Sequence, residues 1–156
     1  MIPDGATFPF PHKANAWADV RVVDQKKRWV LASPWWPIWW KDGALYCMPI
    51  PRGFAYDGSS VPRLLWWLVA PFELGIEAPG KHDWFHENKG LVEVWRWNPK
   101  ANTWESLGRV QWSRRDADRM FFRDMRENKR PIPKAVRRGA FKAVRFWSRM
   151  NGDEWK

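Results

Sequence analysis

Fifteen of the 156 residues are tryptophan, and six of them form the doublets Trp35-Trp36, Trp39-Trp40 and Trp66-Trp67. Indole joins a large apolar body to a single N–H donor, so it suits a boundary that is greasy on one side and wet on the other. The run Trp35-Trp36-Pro37-Ile38-Trp39-Trp40 puts four indoles into six residues. One small core cannot take all four, so the run must divide its rings between interior and surface. Single tryptophans are expected to fill the core, and the three doublets to supply a membrane or partner surface.

Little else can hold such a chain together. The only cysteine excludes an internal disulfide, so burial of the 45% apolar residues has to stabilise the fold. That fraction, over this length, fits one domain spanning residues 1–156 with a modest core. The longest apolar stretch, Leu64 to Phe72, is too short to span a bilayer. The start, Met1-Ile2-Pro3-Asp4-Gly5, lacks a basic segment followed by an apolar one, so no signal peptide is expected and the chain reads as cytoplasmic when made. Lys and Arg exceed Asp and Glu by 27 to 17, a net charge of +10. That balance favours polyanionic partners: nucleic acid, an anionic membrane surface or acidic substrates.

The pattern predicts an α+β fold whose first part, residues 1–52, is β-rich. Val20, Val22 and Trp29 to Leu31 are strand formers around the polar turn 24–27. A second hairpin turns at Lys41-Asp42-Gly43 and continues through Ala44 to Met48. Ser60 is placed to cap a short apolar helix from Val61-Pro62 to Val69. After Pro79-Gly80, a helix is expected from Lys81 to Asn88, stopped by Gly90. Residues 91–111 read as another hairpin. Ser113 to Asn128 reads as a helix with Ser113 as N-cap and Asp116 completing an acidic capping box. A basic C-terminal helix begins near Pro131 or Pro133 and carries the stripe Val136, Ala140, Ala143, Val144 and Trp147. Its other faces hold Lys134, Arg137, Arg138, Lys142, Arg145 and Arg149, with Arg137, Arg138 and Arg145 expected on the docking surface.

Three places carry candidate chemistry. At 100° per residue, Asp118 lies within roughly 20–60° of Phe121, Phe122 and Met125 on the apolar face of its helix. A carboxylate there is costly unless paired, which leaves two readings: an ion pair with a core arginine, or an acceptor that orients a catalytic histidine. His82-Asp83 supplies such a histidine. Adjacent helical positions diverge by about 100°, so His82 can meet Asp118 while Asp83 points at a cation. His86, one turn on, gives the His-x-x-x-His spacing that resembles a zincin helix, with Asp83 where that motif has the longer Glu. The loop Tyr56-Asp57-Gly58-Ser59-Ser60 is either a tight turn before a helix or a presenter of carbonyl oxygens, the ligands calcium prefers.

In order, Asp57-Gly58-Ser59-Ser60, His82 to Asn88, Asp118 to Met125 and Ala143-Val144-Arg145 resemble the prokaryotic phospholipase A(2) pattern over residues 53–148. That pattern has a DGCS loop, an HDFGYRN helix, a D-x-x-F-x-x-D-M helix and a late A-V-R. The chain more closely resembles a phage-encoded family of unknown function, with a GF-x-x-DG-x-S-x-PR loop (Gly53 to Arg63), an HD helix (His82-Asp83) and an R-x-x-AD helix (the run Arg115-Asp116-Ala117-Asp118). The phospholipase resemblance implies a helical core over 53–150, two facing helices carrying His82 and Asp118, with 91–111 as a hairpin insertion. It implies His82 as general base, Asp118 as its orienting carboxylate, and calcium held by Asp83 with carbonyls near Asp57 and Gly58. The implied substrate is a phospholipid acyl ester at an anionic surface. Ser59 stands where the pattern has Cys, the Cys before the HD helix is absent, and His86 replaces its Tyr. Two other classes stand beside this one: a phage structural or accessory interaction protein, associated with the virion, and a nucleic-acid binder using basic charge and stacked indoles.

Overall fold

The computed structural model describes residues 20–23, 28–56, 77–127 and 133–150. Within them, β1 (Val20–Val23), β2 (Arg28–Leu31), β3 (Ile38–Lys41), β4 (Ala44–Cys47) and β5 (Ala55–Tyr56) precede α1 (Glu77–Glu87). Then follow β6 (Leu91–Asn98), β7 (Thr103–Gln111), α2 (Arg114–Glu127) and α3 (Lys134–Met150). The order is α+β, with antiparallel hairpins first and helices later, as the sequence pattern predicts. The helix expected over Val61 to Val69, the loop residues Asp57 and Gly58, and Trp66 and Trp67 lie outside the described residues.

Turn chemistry sets the hairpins. β3 and β4 pair from Ile38↔Cys47 to Lys41↔Ala44, which leaves Asp42-Gly43 as a two-residue turn. Both residues have positive φ, 51° and 75°, the geometry whose twist matches the flanking strands and which Asp-Gly tolerates best. β6 and β7 close through Asn98, whose Oδ1 accepts the backbone N–H groups of Lys100 and Ala101. The 91–111 hairpin belongs to the main sheet. β6 hydrogen-bonds to β4 at Tyr46↔Arg96 and Cys47↔Trp95, giving the order β3-β4-β6-β7. A smaller sheet has the order β1-β2-β5.

The larger sheet buries aromatic side chains on both faces. Trp39, Met48, Val92 and Val94 join Trp35, Phe85 and Trp112 in the main core. Alternate positions Leu45 and Cys47 turn the other way and pack with Trp97 and Trp104. Alternation along β6 sets Val92 and Val94 on one face and Trp95 and Trp97 on the other. The irregularity falls on β7, where the step from Glu93 to Trp95 pairs with the longer step from Arg109 to Ser106 around Gly108 at φ 66°. Two faces, not one, let this chain bury so much indole.

Trp35 and Trp39, expected on a docking surface, are 2% and 3% exposed. Their burial corrects that expectation. Trp39 is the inward position of β3, and Trp35 is fixed by paired backbone bonds with Ile50 at 2.9 and 2.8 Å. Trp36 is half-buried against Leu45 and its neighbours, whereas Trp40, one residue past Trp39, is 46% exposed. The period of two within a strand therefore splits the run.

α1 starts at Glu77, four positions before the expected Lys81, and takes Pro79-Gly80 into its first turn. The first turn of a helix has no internal acceptors for its N–H groups, so proline costs little there. Gly80 has a packing role: a Cβ on it would lie 3.0 Å from Tyr56 Cζ and 3.3 Å from Trp35 Cζ3. The helix ends as predicted, with Gly90 at φ 76° donating to the Phe85 carbonyl at 2.8 Å. α2 is capped by Ser113, whose Oγ accepts from Asp116 N at 3.2 Å and donates to the Asp116 carboxylate at 2.9 Å.

Candidate functional site

α1 and α2 run antiparallel. Ala78 packs in the cluster of Phe121 and Met125, His82 meets Asp118, and Phe85 meets Trp112. The two helices thus face each other through His82 and Asp118. His82 Nε2 and Asp118 Oδ1 are 3.0 Å apart, and both side chains are 1% exposed. Asp118 thus has a histidine partner and an arginine partner as well. Arg145, from α3, donates to Asp118 Oδ2 at 3.2 Å, so one carboxylate serves a histidine and an arginine. The docking-surface expectation for Arg145 holds only in part: its side chain is 33% exposed, while its guanidinium is tied to the buried Asp118 carboxylate.

The other nitrogen of His82, Nδ1, makes no hydrogen bond. Asp83 Oδ1 lies 3.8 Å from it, beyond direct hydrogen-bond reach. His86 stacks obliquely on His82, with ring centroids 4.3 Å apart. One donor atom from each of His82, His86 and Asp118 lies within 4.8 Å of the other two. Arg137 is partly buried, and Arg138 is exposed on α3.

The electrostatics follow from burial and these partners. Burial alone would lower the His82 pKa, but its bond to Asp118 and the nearby Asp83 carboxylate outweigh it and raise it above the ordinary value. Burial would raise Asp118, yet the bond with His82, the charge of His82 and the Arg145 contact hold it below the usual carboxylate range. His86 is pushed down to about 3 by burial, then by the positive charge of His82 and of Arg114, so its imidazole is neutral near pH 7. Each partner thus favours the charged form of the other.

The sequence reading missed several neighbours. Arg114 is 5% exposed at the start of α2 and adds positive field to this centre. Lys81 and Asp124 form a second tie between α1 and α2 at 2.6 Å, with side chains 8% and 11% exposed. A cleft of about 450 Å³ lies apart from this centre, between the β3–β4 turn and α2, lined by Trp40, Lys41, Trp112 and Arg119. Arg123 donates to the Trp40 carbonyl there.

An α+β scaffold that joins a buried histidine, a carboxylate and an arginine across three helices is the class this structure defines. A family model described as "Protein of unknown function (DUF1353)" matches residues 29–144, and the chain belongs to that family. No curated protein matches it, and neither does any solved structure. No helix among the described residues is long and apolar enough to cross a membrane.

Proposed function

We propose that the protein hydrolyses an acyl ester of an anionic phospholipid surface, with His82 as general base and Asp118 as its orienting carboxylate. The observation that carries this reading is the asymmetry of the buried His82 ring: Nε2 is held by Asp118 at 3.0 Å, while Nδ1, with Asp83 3.8 Å away, is the ring nitrogen left to take a proton once the neutral ring meets water in an opened site. Arg145 on the far oxygen of Asp118 keeps that carboxylate ionised and in place. In this reading Asp83, with carbonyls near Asp57 and Gly58, would hold calcium, which would supply polarisation of the ester carbonyl.

Surface chemistry supports the choice of substrate class. Lys134, Arg138 and Lys142 are exposed at four-residue spacing on α3, and Phe146 continues the row at 65% exposure. A basic row ending in an exposed aromatic ring suits an anionic bilayer, with cations at the headgroups and the ring at the acyl boundary. The same row would suit a nucleic-acid backbone or an acidic protein of a phage particle, and neither of those partners needs His82.

The test is fatty-acid release from phosphatidylglycerol-containing vesicles in millimolar calcium, by wild type and His82→Gln. Loss of at least about a hundredfold in the variant is expected for removal of a general base. No release by the wild type, or equal release by both, overturns the reading.

A further inference from the structure

We propose that His82, His86 and Asp118 form a binding site for a divalent transition ion of the zinc class. Two helices supply the donors. His82 and His86 are one turn apart on α1, so both imidazoles stand on one face, with centroids 4.3 Å apart. Asp118 reaches the same point from α2, and the three donor atoms lie within 4.8 Å of one another. Zinc–nitrogen and zinc–oxygen bonds of about 2.0–2.1 Å set tetrahedral ligand atoms about 3.3 Å apart. His82 Nε2 and Asp118 Oδ1, at 3.0 Å, nearly have that spacing already. Within the 4.8 Å bound, the two edges to His86 have to close by at most about 1.5 Å each.

The surrounding groups are arranged for the same task. Arg145 occupies Asp118 Oδ2, which leaves Oδ1 to the ion. With Nε2 ligating, the remaining His82 nitrogen is Nδ1, and Asp83 Oδ1 stands 3.8 Å behind it. Histidine ligands usually give their second N–H to such a carboxylate, and a small turn of Asp83 toward Nδ1 would bring it within hydrogen-bond reach. Two imidazoles and one carboxylate suit zinc-class ions, whereas calcium takes six to eight oxygens. Three protein ligands also leave a fourth position for water. This ion therefore sits on the opposite edge of the His82 ring from Asp83, distinct from the proposed calcium.

One consequence rests on the hydrolase reading, although the site itself does not. With Nε2 on the ion, Nδ1 keeps its proton and cannot act as a base, so zinc occupancy and the His82–Asp118 mechanism exclude each other.

The experiment is calorimetric titration of zinc into the metal-free full chain, its His86→Gln variant, and wild type preloaded with calcium. The expected result is one zinc per chain, undiminished by calcium, with affinity weakened at least about a hundredfold in His86→Gln. No uptake at millimolar zinc, several weak ions per chain, or equal affinity in a folded His86→Gln overturns the site. Should that variant fail to fold, the cobalt(II) spectrum of the wild type decides: intense tetrahedral bands support the site, and weak octahedral bands sink it. Vesicle hydrolysis by the zinc-free protein in millimolar calcium, set beside the zinc titration, separates the two proposals. Hydrolysis without zinc uptake sinks the site alone, and zinc uptake without any ester cleavage sinks the hydrolase alone.

Discussion

Replacing Asp118 by Asn keeps the size of the side chain and removes its charge. The residue is buried and serves His82 at 3.0 Å and Arg145 at 3.2 Å. The amide oxygen still accepts from His82, but the NH2 group then faces the Arg145 guanidinium, donor against donor. Removing one partner of a buried pair costs about 3–5 kcal/mol, and the retained bond puts this change near the lower end, about 3 kcal/mol. For a chain of this length that is a fall in Tm of about 6–12 °C. The loss depends on pH in a defined way. Asp118 is held below its ordinary 3.8, so its stabilisation is present above that value and is lost as pH falls through the folded pKa. His82 is raised above its ordinary 6.5, so its contribution is complete below that value and is lost as pH rises through the folded pKa. The gap between wild type and Asp118→Asn is therefore widest between about pH 4 and 6.5. It narrows on either side, without closing in alkali, where neutral imidazole still donates. Urea unfolding followed by tryptophan fluorescence at a series of pH values measures it. A gap below about 1 kcal/mol at pH 6, or one flat with pH, would refute the coupled pair.

Other outcomes follow from single residues. His86 has its pKa pushed down to about 3, so the unfolded chain binds its proton first; stability should fall as pH drops from 6.5 toward 3. His86→Gln should flatten that slope in acid urea titrations, and an unchanged slope would mean the ring is solvated. Gly80→Ala should cost about 1–3 kcal/mol by thermal melting, because its Cβ would press Tyr56 at 3.0 Å and Trp35 at 3.3 Å. Burial pushes the Cys47 thiol well up from its ordinary value. Ellman's reagent should therefore titrate no thiol in the native protein and one per chain in denaturant; a fast native reaction would show that the second face of the sheet opens.

Much of this fold is carried by local signals. Asp42-Gly43, Asn98, Ser113 and Gly90 are each confined to one turn, where residue type and backbone conformation are tied directly. The apolar side of α2 likewise pointed Asp118 inward, because helical period orders side chains without reference to the rest of the chain. The pairing of His82 with Asp118 was legible for a similar reason: a buried carboxylate needs a partner, and His82 was the candidate within a neighbouring helix. The destinations of Trp35, Trp39 and Arg145 were not legible. Tryptophan and arginine are amphipathic, so composition assigns them to a surface as readily as to an interior.

The sequence by itself determined the α+β order, the turns, the caps and the inward aim of Asp118, since each depends on interactions a few residues long. Tertiary structure alone decided which strand is neighbour to β4, which tryptophans the two faces of the sheet conceal, and that Arg145 and His86 join His82 and Asp118 at one point. Those outcomes depend on pairing between distant segments, where the energy gained is shared among many partners and no short stretch of chain encodes the choice.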